Sequence, residues 1–335
     1  MSFKKIEEVT DEFWENEINE VNRELIEDFL SQRHLSPQTL KQYESALKIF
    51  AKWVYDNTYS KKQKTEKIIP ELKPRDALKY QNYLIGMGLS PNAVKFKRSA
   101  VSSLCGFIEL YYSDEYKDFR NIYTKNVPSV HKSNVKEKVP LTMKEIEKIS
   151  RILTKNEEWQ KLAYLWFTYS TGCRRAEARQ LLKEVTTYKI AKDKQGNNKK
   201  YYLTHTIRAK GGGIEGKPRK FKFDQRAMDA IQKWIEFRSS LVDSDDCEYV
   251  FVSKRNGVFQ QLSANTFNLW CKEFSEMIGG KPVHPHLFRS SRATIAVVEE
   301  GHDIKAVQKM LGHNSSTTTE IYIVRDDEDD EDDLY

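Results

Sequence analysis

The chain has 335 residues, 39% of them hydrophobic and 31% charged, enough apolar content for two ordinary globular domains. No run approaches the roughly 18 to 20 apolar residues that a membrane-crossing helix needs. Residues Met1 to Glu8 lack the apolar core of a signal peptide, so a cytoplasmic protein is expected. The four cysteines, Cys105, Cys173, Cys247 and Cys271, form no CxxC pair and suggest neither a zinc site nor a disulfide framework. The net charge of +6 hides a stronger basic excess. Residues 326–333 are all acidic, and removing their eight negative charges from +6 leaves +14. Such an excess suits a polyanionic partner, because cations that contact phosphates release condensed counterions.

In chain order, residues 11 to 123 read as helical throughout. Ser36-Pro37 and Ser90-Pro91 are paired start signals, since serine caps a helix and proline fits its first turn. Leu40, Leu47, Phe50 and Val54 follow the first at helical spacing; Val94, Val101, Leu104 and Ile108 follow the second. Off those stripes lie Lys41, Lys48 and Lys52 in one helix and Lys95, Lys97 and Arg98 in the other, which marks Lys41, Lys48, Lys95, Lys97 and Arg98 as candidate DNA contacts. Residues 126–139 have the composition of a linker. A second region opens where Thr142 and Glu145 have the spacing of a capping box.

In that region a helix is expected from about Glu157 to Thr168, ending near Gly172, and another through Leu182. Tyr201 to Ala209 and Arg219 to Phe223 read as a hairpin around Gly211, Gly212 and Gly213, and Tyr249 to Ser253 as a short strand. Further helices are expected over Gln225–Phe237, Ser263–Ile278, His286–Glu300 and Asp303–Leu311, with a short one reaching Tyr322.

Four islands carry chemistry: Thr171-Gly172-Cys173-Arg174-Arg175-Ala176-Glu177, then Ala209-Lys210-Gly211, then His286-Leu287-Phe288-Arg289, then Leu311-Gly312-His313 with Tyr322 nine residues on. In this order and spacing they closely resemble the active-site boxes of the tyrosine recombinase, or phage integrase, family: an arginine in TGxRxxE, a hairpin lysine, HxxR, and LGH followed by tyrosine. The resemblance covers residues 140 to 325 by motif, and the helical region before it by character and placement. It implies a mainly α fold with a small β-hairpin or sheet. The expected layout is a helical core-binding domain over 1–125, a linker over 126–139, an α+β catalytic domain over 140–325 and an acidic tail over 326–335. With fewer than a dozen residues before Asp11, no separate arm-binding domain is expected.

By the same resemblance Arg174, Lys210, His286, Arg289, His313 and Tyr322 take the six catalytic positions. The residue types suit phosphoryl transfer. A phenol of pKa about 10 must lose its proton as it attacks, and a histidine can accept it. Two guanidiniums, Arg174 and Arg289, stay charged and can hold non-bridging oxygens in bidentate fashion. Lys210 would protonate the leaving 5′-oxygen, although Lys217 or Lys220 could be the reacting group instead. The roles of His286 and His313 are not separable. No metal or ATP is implied, because a phosphotyrosyl link conserves the energy of the diester.

The implied partner is double-stranded DNA with inverted-repeat core sites, gripped by a C-shaped two-domain clamp. A homo-tetramer is expected on DNA, and a monomer or dimer off it. A repressor that keeps the fold without strand exchange is the alternative, with a topoisomerase third. Two features depart from the family pattern. Ser290 stands where histidine is common, and the acidic tail is a poor helix for docking on a neighbouring protomer. That tail is expected to be solvated, or to compete with DNA for the basic surface.

Overall fold

A computed structural model describes residues 6, 8–123, 127–128, 130, 139–211, 215–241 and 245–312. His313, Tyr322, the expected short helix reaching Tyr322 and the acidic tail lie outside the described residues. The chain divides into two compact units, 1–136 and 137–335, at a boundary inside the stretch read as a linker.

The first unit is built from α1 (Asp11–Asn16), α2 (Glu20–Leu30), α3 (Pro37–Thr58), α4 (Pro74–Gly86) and α5 (Pro91–Tyr111). Ser36 and Ser90 cap α3 and α5 by accepting the Thr39 and Ala93 amides, with proline in each first turn. Leu47, Phe50 and Val54 of α3 and Val94, Val101, Leu104 and Ile108 of α5 are buried; Leu40, near the start of the stripe, is half-buried. The helix α4 adds Ala77, Tyr80 and Leu84 to the same core. A buried polar residue fixes the register of this core: Asn22 accepts the Ile69 amide at 2.7 Å and donates to the Lys67 carbonyl at 3.0 Å.

The second unit contains α6 (Met143–Lys155), α7 (Trp159–Thr171), α8 (Arg175–Ala178), α9 (Gln225–Ser239), α10 (Thr266–Met277), α11 (Pro285–Thr294) and α12 (Ile304–Leu311). The helix α6 starts on the Thr142–Glu145 capping box, with Thr142 N donating to Glu145 Oε2 at 2.8 Å. Helix α7 buries residues around most of its circumference and packs against α6, α9 and α11, as an interior helix must. Tyr164 stacks on Phe267 with ring centroids 4.2 Å apart and meets Phe251, Trp270 and Phe288 edge-on.

Among the described residues the strands form three antiparallel two-stranded ribbons: β1 (Tyr202–Leu203) with β4 (Lys222–Phe223), β2 (Ile207–Ala209) with β3 (Lys217–Arg219), and β5 (Val252–Arg255) with β6 (Val258–Gln261). Several expected boundaries move, for identifiable reasons. The strand expected over Tyr201–Ala209 breaks in two because the buried Thr204 hydroxyl accepts the Phe221 amide at 3.0 Å and donates to the His205 carbonyl at 2.8 Å. The helix expected to reach Leu182 stops at Ala178, where strand-like pairing takes over: Val250 N donates to Leu181 O and Lys183 N to Glu248 O. The helix expected over His286–Glu300 begins one residue earlier at Pro285 and is α-helical only to Thr294; Ile295–Glu299 form a π-turn. Among the described residues no helix is long and apolar enough to cross a membrane.

Burial decides the behaviour of the cysteines. It pushes the Cys105, Cys173 and Cys271 thiols up to about 12, whereas Cys247 is only half-buried. Since the thiolate is the reactive form, a chromogenic disulfide reagent at neutral pH should label one thiol rapidly in the native protein and all four after denaturation. Rapid labelling of all four without denaturant would contradict this packing.

Candidate active site

The first box is shaped by the end of α7. Its chain reverses at Gly172, in the left-handed region at φ 58°, whose amide still donates to Thr168 O at 2.9 Å. Two residues on, Arg174 caps α8. Its backbone amide donates to Glu177 Oε2 at 2.6 Å and its Nη1 to Glu177 Oε1 at 3.0 Å. The Glu177 side chain is 2% exposed and that of Arg174 is 29% exposed. One buried carboxylate thus grips both the backbone and the guanidinium of Arg174, and leaves part of the fork open to an incoming anion.

The third box starts α11. Exposed His286 lines a concavity of about 330 Å3 with His284, Pro285, Asn268, Arg174 and Arg175. Two of the expected catalytic side chains, from distant boxes, therefore open onto one space. Arg289 sits otherwise. It is fully buried, donating from Nη1 to the Gly172 carbonyl at 2.7 Å and from Nη2 to the Leu311 carbonyl at 2.5 Å. Its guanidinium braces the turn of the first box against the end of α12. The chain continues from Leu311 into Gly312, again left-handed at φ 69°. Ser290, where histidine is common, is buried, and its neighbour Ser291 accepts the Leu141 amide at 2.7 Å.

Lys210 is exposed just beyond β2 and is not among the described residues that line the concavity. Its strand is nevertheless tied to the first box. Gln180 donates to Arg208 O at 3.0 Å and accepts Arg208 N at 3.1 Å. Lys217, opposite Ala209 in the register, and Lys220 are exposed on the returning side. Among the described residues no group of three or more His, Cys, Asp or Glu could hold a metal ion.

The candidate DNA contacts of the first unit differ among themselves. Lys41 and Lys95 are exposed. Lys48 pairs with Glu44 at 3.1 Å and Asp11 at 3.4 Å and lies over the Trp14 ring. Burial holds the half-buried Lys97 below the usual lysine range. Arg98 donates to the Pro128 carbonyl at 2.6 Å and to the Val127 carbonyl at 3.3 Å, so it fastens the segment after α5. Sequence reasoning missed Gln180 and Arg219. Arg219, on β3, reaches the end of α12 and donates from Nη1 to Leu311 O at 2.6 Å. Nothing in its local sequence distinguishes it from the basic residues around it.

Residues 139–329 match the profile that defines the phage integrase family. The chain belongs to that family. A relative from Bacillus subtilis (strain 168), the SPbeta prophage-derived recombinase-like protein YomM, is 30% identical over 99% of this chain and 95% of its own. Tyrosine recombinase XerA of Pyrococcus furiosus is 29% identical over 89% of this chain and 88% of its own. The fold is shared with the Tn1549 transposon integrase in complex with a circular intermediate DNA, at a TM-score of 0.63, 19% identity and coverage of 91% of this chain and 95% of that one. It is also shared with a lambda integrase dimer bound to a core site, at a TM-score of 0.60, 18% identity and the same coverage of both chains.

Within this integrase-family unit, the glycines of the first and fourth boxes have a steric role. A Cβ on Gly172 would lie 2.7 Å from Leu311 Cδ2, and the residue needs positive φ. Left-handed backbone costs an L-residue about 1–2 kcal/mol, and displacing a buried leucine adds to it. Gly172→Ala should lose about 2–3 kcal/mol of stability, read as a lower midpoint in thermal unfolding. An unchanged midpoint would show that the two boxes do not pack as described.

Proposed function

We propose that this chain is a site-specific DNA recombinase, the integrase of a phage or other mobile element, that cleaves and rejoins DNA through a 3′-phosphotyrosyl intermediate. The observation that carries the proposal is the shared concavity, where Arg174, held by a buried carboxylate, and His286 face one space. Membership of the phage integrase family and the prophage origin in the name of a relative 30% identical support it.

A DNA phosphate entering the concavity would meet the open N–H groups of the Arg174 guanidinium. Tyr322 Oη attacks phosphorus while its proton passes to a histidine, His286 or His313. The bond from phosphorus to the 5′-oxygen breaks, and that oxygen takes a proton from Lys210. The 3′-phosphate is left as an ester of Tyr322. Attack by a 5′-hydroxyl runs the same steps backwards and rejoins the strand without ATP. Arg289 supplies the second guanidinium of the clamp. Because it is buried on the Gly172 and Leu311 carbonyls, its engagement with a phosphate takes a movement at Leu311–Gly312.

Residues 1–125 would grip DNA as a core-binding domain, with exposed Lys41 and Lys95 as phosphate contacts, and 140–325 would carry the chemistry. Protomers would assemble as a tetramer on two duplexes. The test uses duplexes selected from a randomised pool by gel shift, then nicked so that a cleaved strand is lost. Wild-type protein should become covalently attached, as seen on a denaturing gel. Tight binding without attachment would identify a regulator that has kept the fold, and would end the proposal.

A further inference from the structure

Arg219 is not one of the residues the mechanism uses, yet it is placed where three boxes meet. From β3 its Nη1 donates to Leu311 O at 2.6 Å, and its Nη2 donates to Met310 O and to Lys309 O at 3.3 Å. These are among the last carbonyls of α12, beyond the helix's own i→i−4 bonds, although Lys309 O also accepts the Gly312 amide at 3.2 Å. A cation at this end also meets the negative pole of the helix dipole. The guanidinium packs over the Phe221 ring at 4.6 Å. Leu311 O is shared, since Arg289 Nη2 reaches it too at 2.5 Å. The fit is close: a Cβ on Gly312 would overlap the Arg219 guanidinium. Burial holds the Arg219 pKa below the usual arginine range, with Glu177 opposing and Arg174 adding to the shift, so this side chain also lies in the field of the first box.

The strand that carries Arg219 is half of the hairpin that carries Lys210. Arg219 is opposite Ile207, and Lys210 follows Ala209, which pairs with Lys217. The ribbon is only three residues long on each side, and so short a hairpin depends on packing against its surroundings. We propose that Arg219 is a positioning residue, which docks the Lys210 hairpin on the end of α12 and so sets the lysine against a phosphate held by Arg174. This rests on the recombinase reading of the site. A displacement of about 1 Å in a catalytic group can cost on the order of a hundredfold in rate.

The test compares two nicked duplexes, one with the ordinary 5′-oxygen at the scissile phosphate and one with sulfur in its place. A thiolate leaves without help from an acid, so sulfur removes the need for a lysine proton. On the oxygen duplex Arg219→Ala should lower the single-turnover rate of covalent attachment about ten- to a hundredfold. On the sulfur duplex it should fall within about threefold of wild type. Arg219→Lys, which keeps the charge and loses the fork, should lie between. Unfolding midpoints confirm that each variant is folded at the assay temperature. Lys210→Ala is the reference and should be rescued by sulfur. Equal losses on both duplexes, or no loss on oxygen, would overturn the positioning role while wild-type attachment leaves the recombinase reading standing. Failure of sulfur to rescue Lys210→Ala would overturn it too, by removing the acid that Arg219 is said to place. A wild type that never attaches would overturn both readings.

Discussion

Tyr322→Phe is expected to bind DNA as the wild type does and to form no covalent complex at all. The substitution removes a single oxygen, so fold and phosphate contacts should persist while the nucleophile is gone. A phenol of pKa about 10 is ionised to only about a thousandth at neutral pH. Attack therefore depends on a base beside it and on cations around the phosphorus, and no neighbouring phenol can take its place without both. Gel shift on the selected duplex and a denaturing gel of the same mixture read the two quantities. Covalent attachment by Tyr322→Phe would mean that another side chain is the nucleophile.

Arg174→Ala should cut the rate of attachment by about two to three decades, equivalent to roughly 3–4 kcal/mol of lost transition-state stabilisation. The site explains why rate should suffer more than fold. The backbone amide of Arg174 donates to Glu177 Oε2 at 2.6 Å, a bond that does not use the guanidinium and should survive its removal. Affinity should fall by much less than rate, since one phosphate contact among several is lost. Single-turnover kinetics at saturating protein separate the two. A loss of binding as large as the loss of rate would mean that Arg174 holds ground state and transition state alike.

Legibility from the sequence followed the range of each interaction. The Ser36, Ser90 and Thr142–Glu145 helix starts were legible because a cap is made within three residues of chain. The motif boxes were legible because spacing alone relates Arg174 to Glu177 and His286 to Arg289. The Asn256–Gly257 turn was a local signal too, and it was overlooked: both residues have positive φ, at 49° and 80°, and they join β5 to an unexpected β6. What stayed hidden depends on partners distant in the chain. Lys48 looks like a free cation until Asp11 folds back to it, and Arg98 until Pro128 returns. Thr204 breaks a strand only because Phe221 is across from it. Arg289 reads as a phosphate ligand in its motif, while its hydrogen bonds to Gly172 and Leu311 exist only once three segments pack together.

The central proposal is that boxes far apart in the chain act on one phosphate, with Tyr322 as its nucleophile. The most direct measurement is to trap the covalent complex on a nicked duplex, digest both components, and locate the nucleotide by mass spectrometry. The expected result is a 3′-phosphonucleotide on the peptide that contains Tyr322 and on no other. Tyr201 is the informative contrast, since a hydrogen bond from Lys199 and the nearby Lys222 hold its hydroxyl below the usual phenol range. An adduct on Tyr201, or on any peptide lacking Tyr322, would contradict the proposed mechanism.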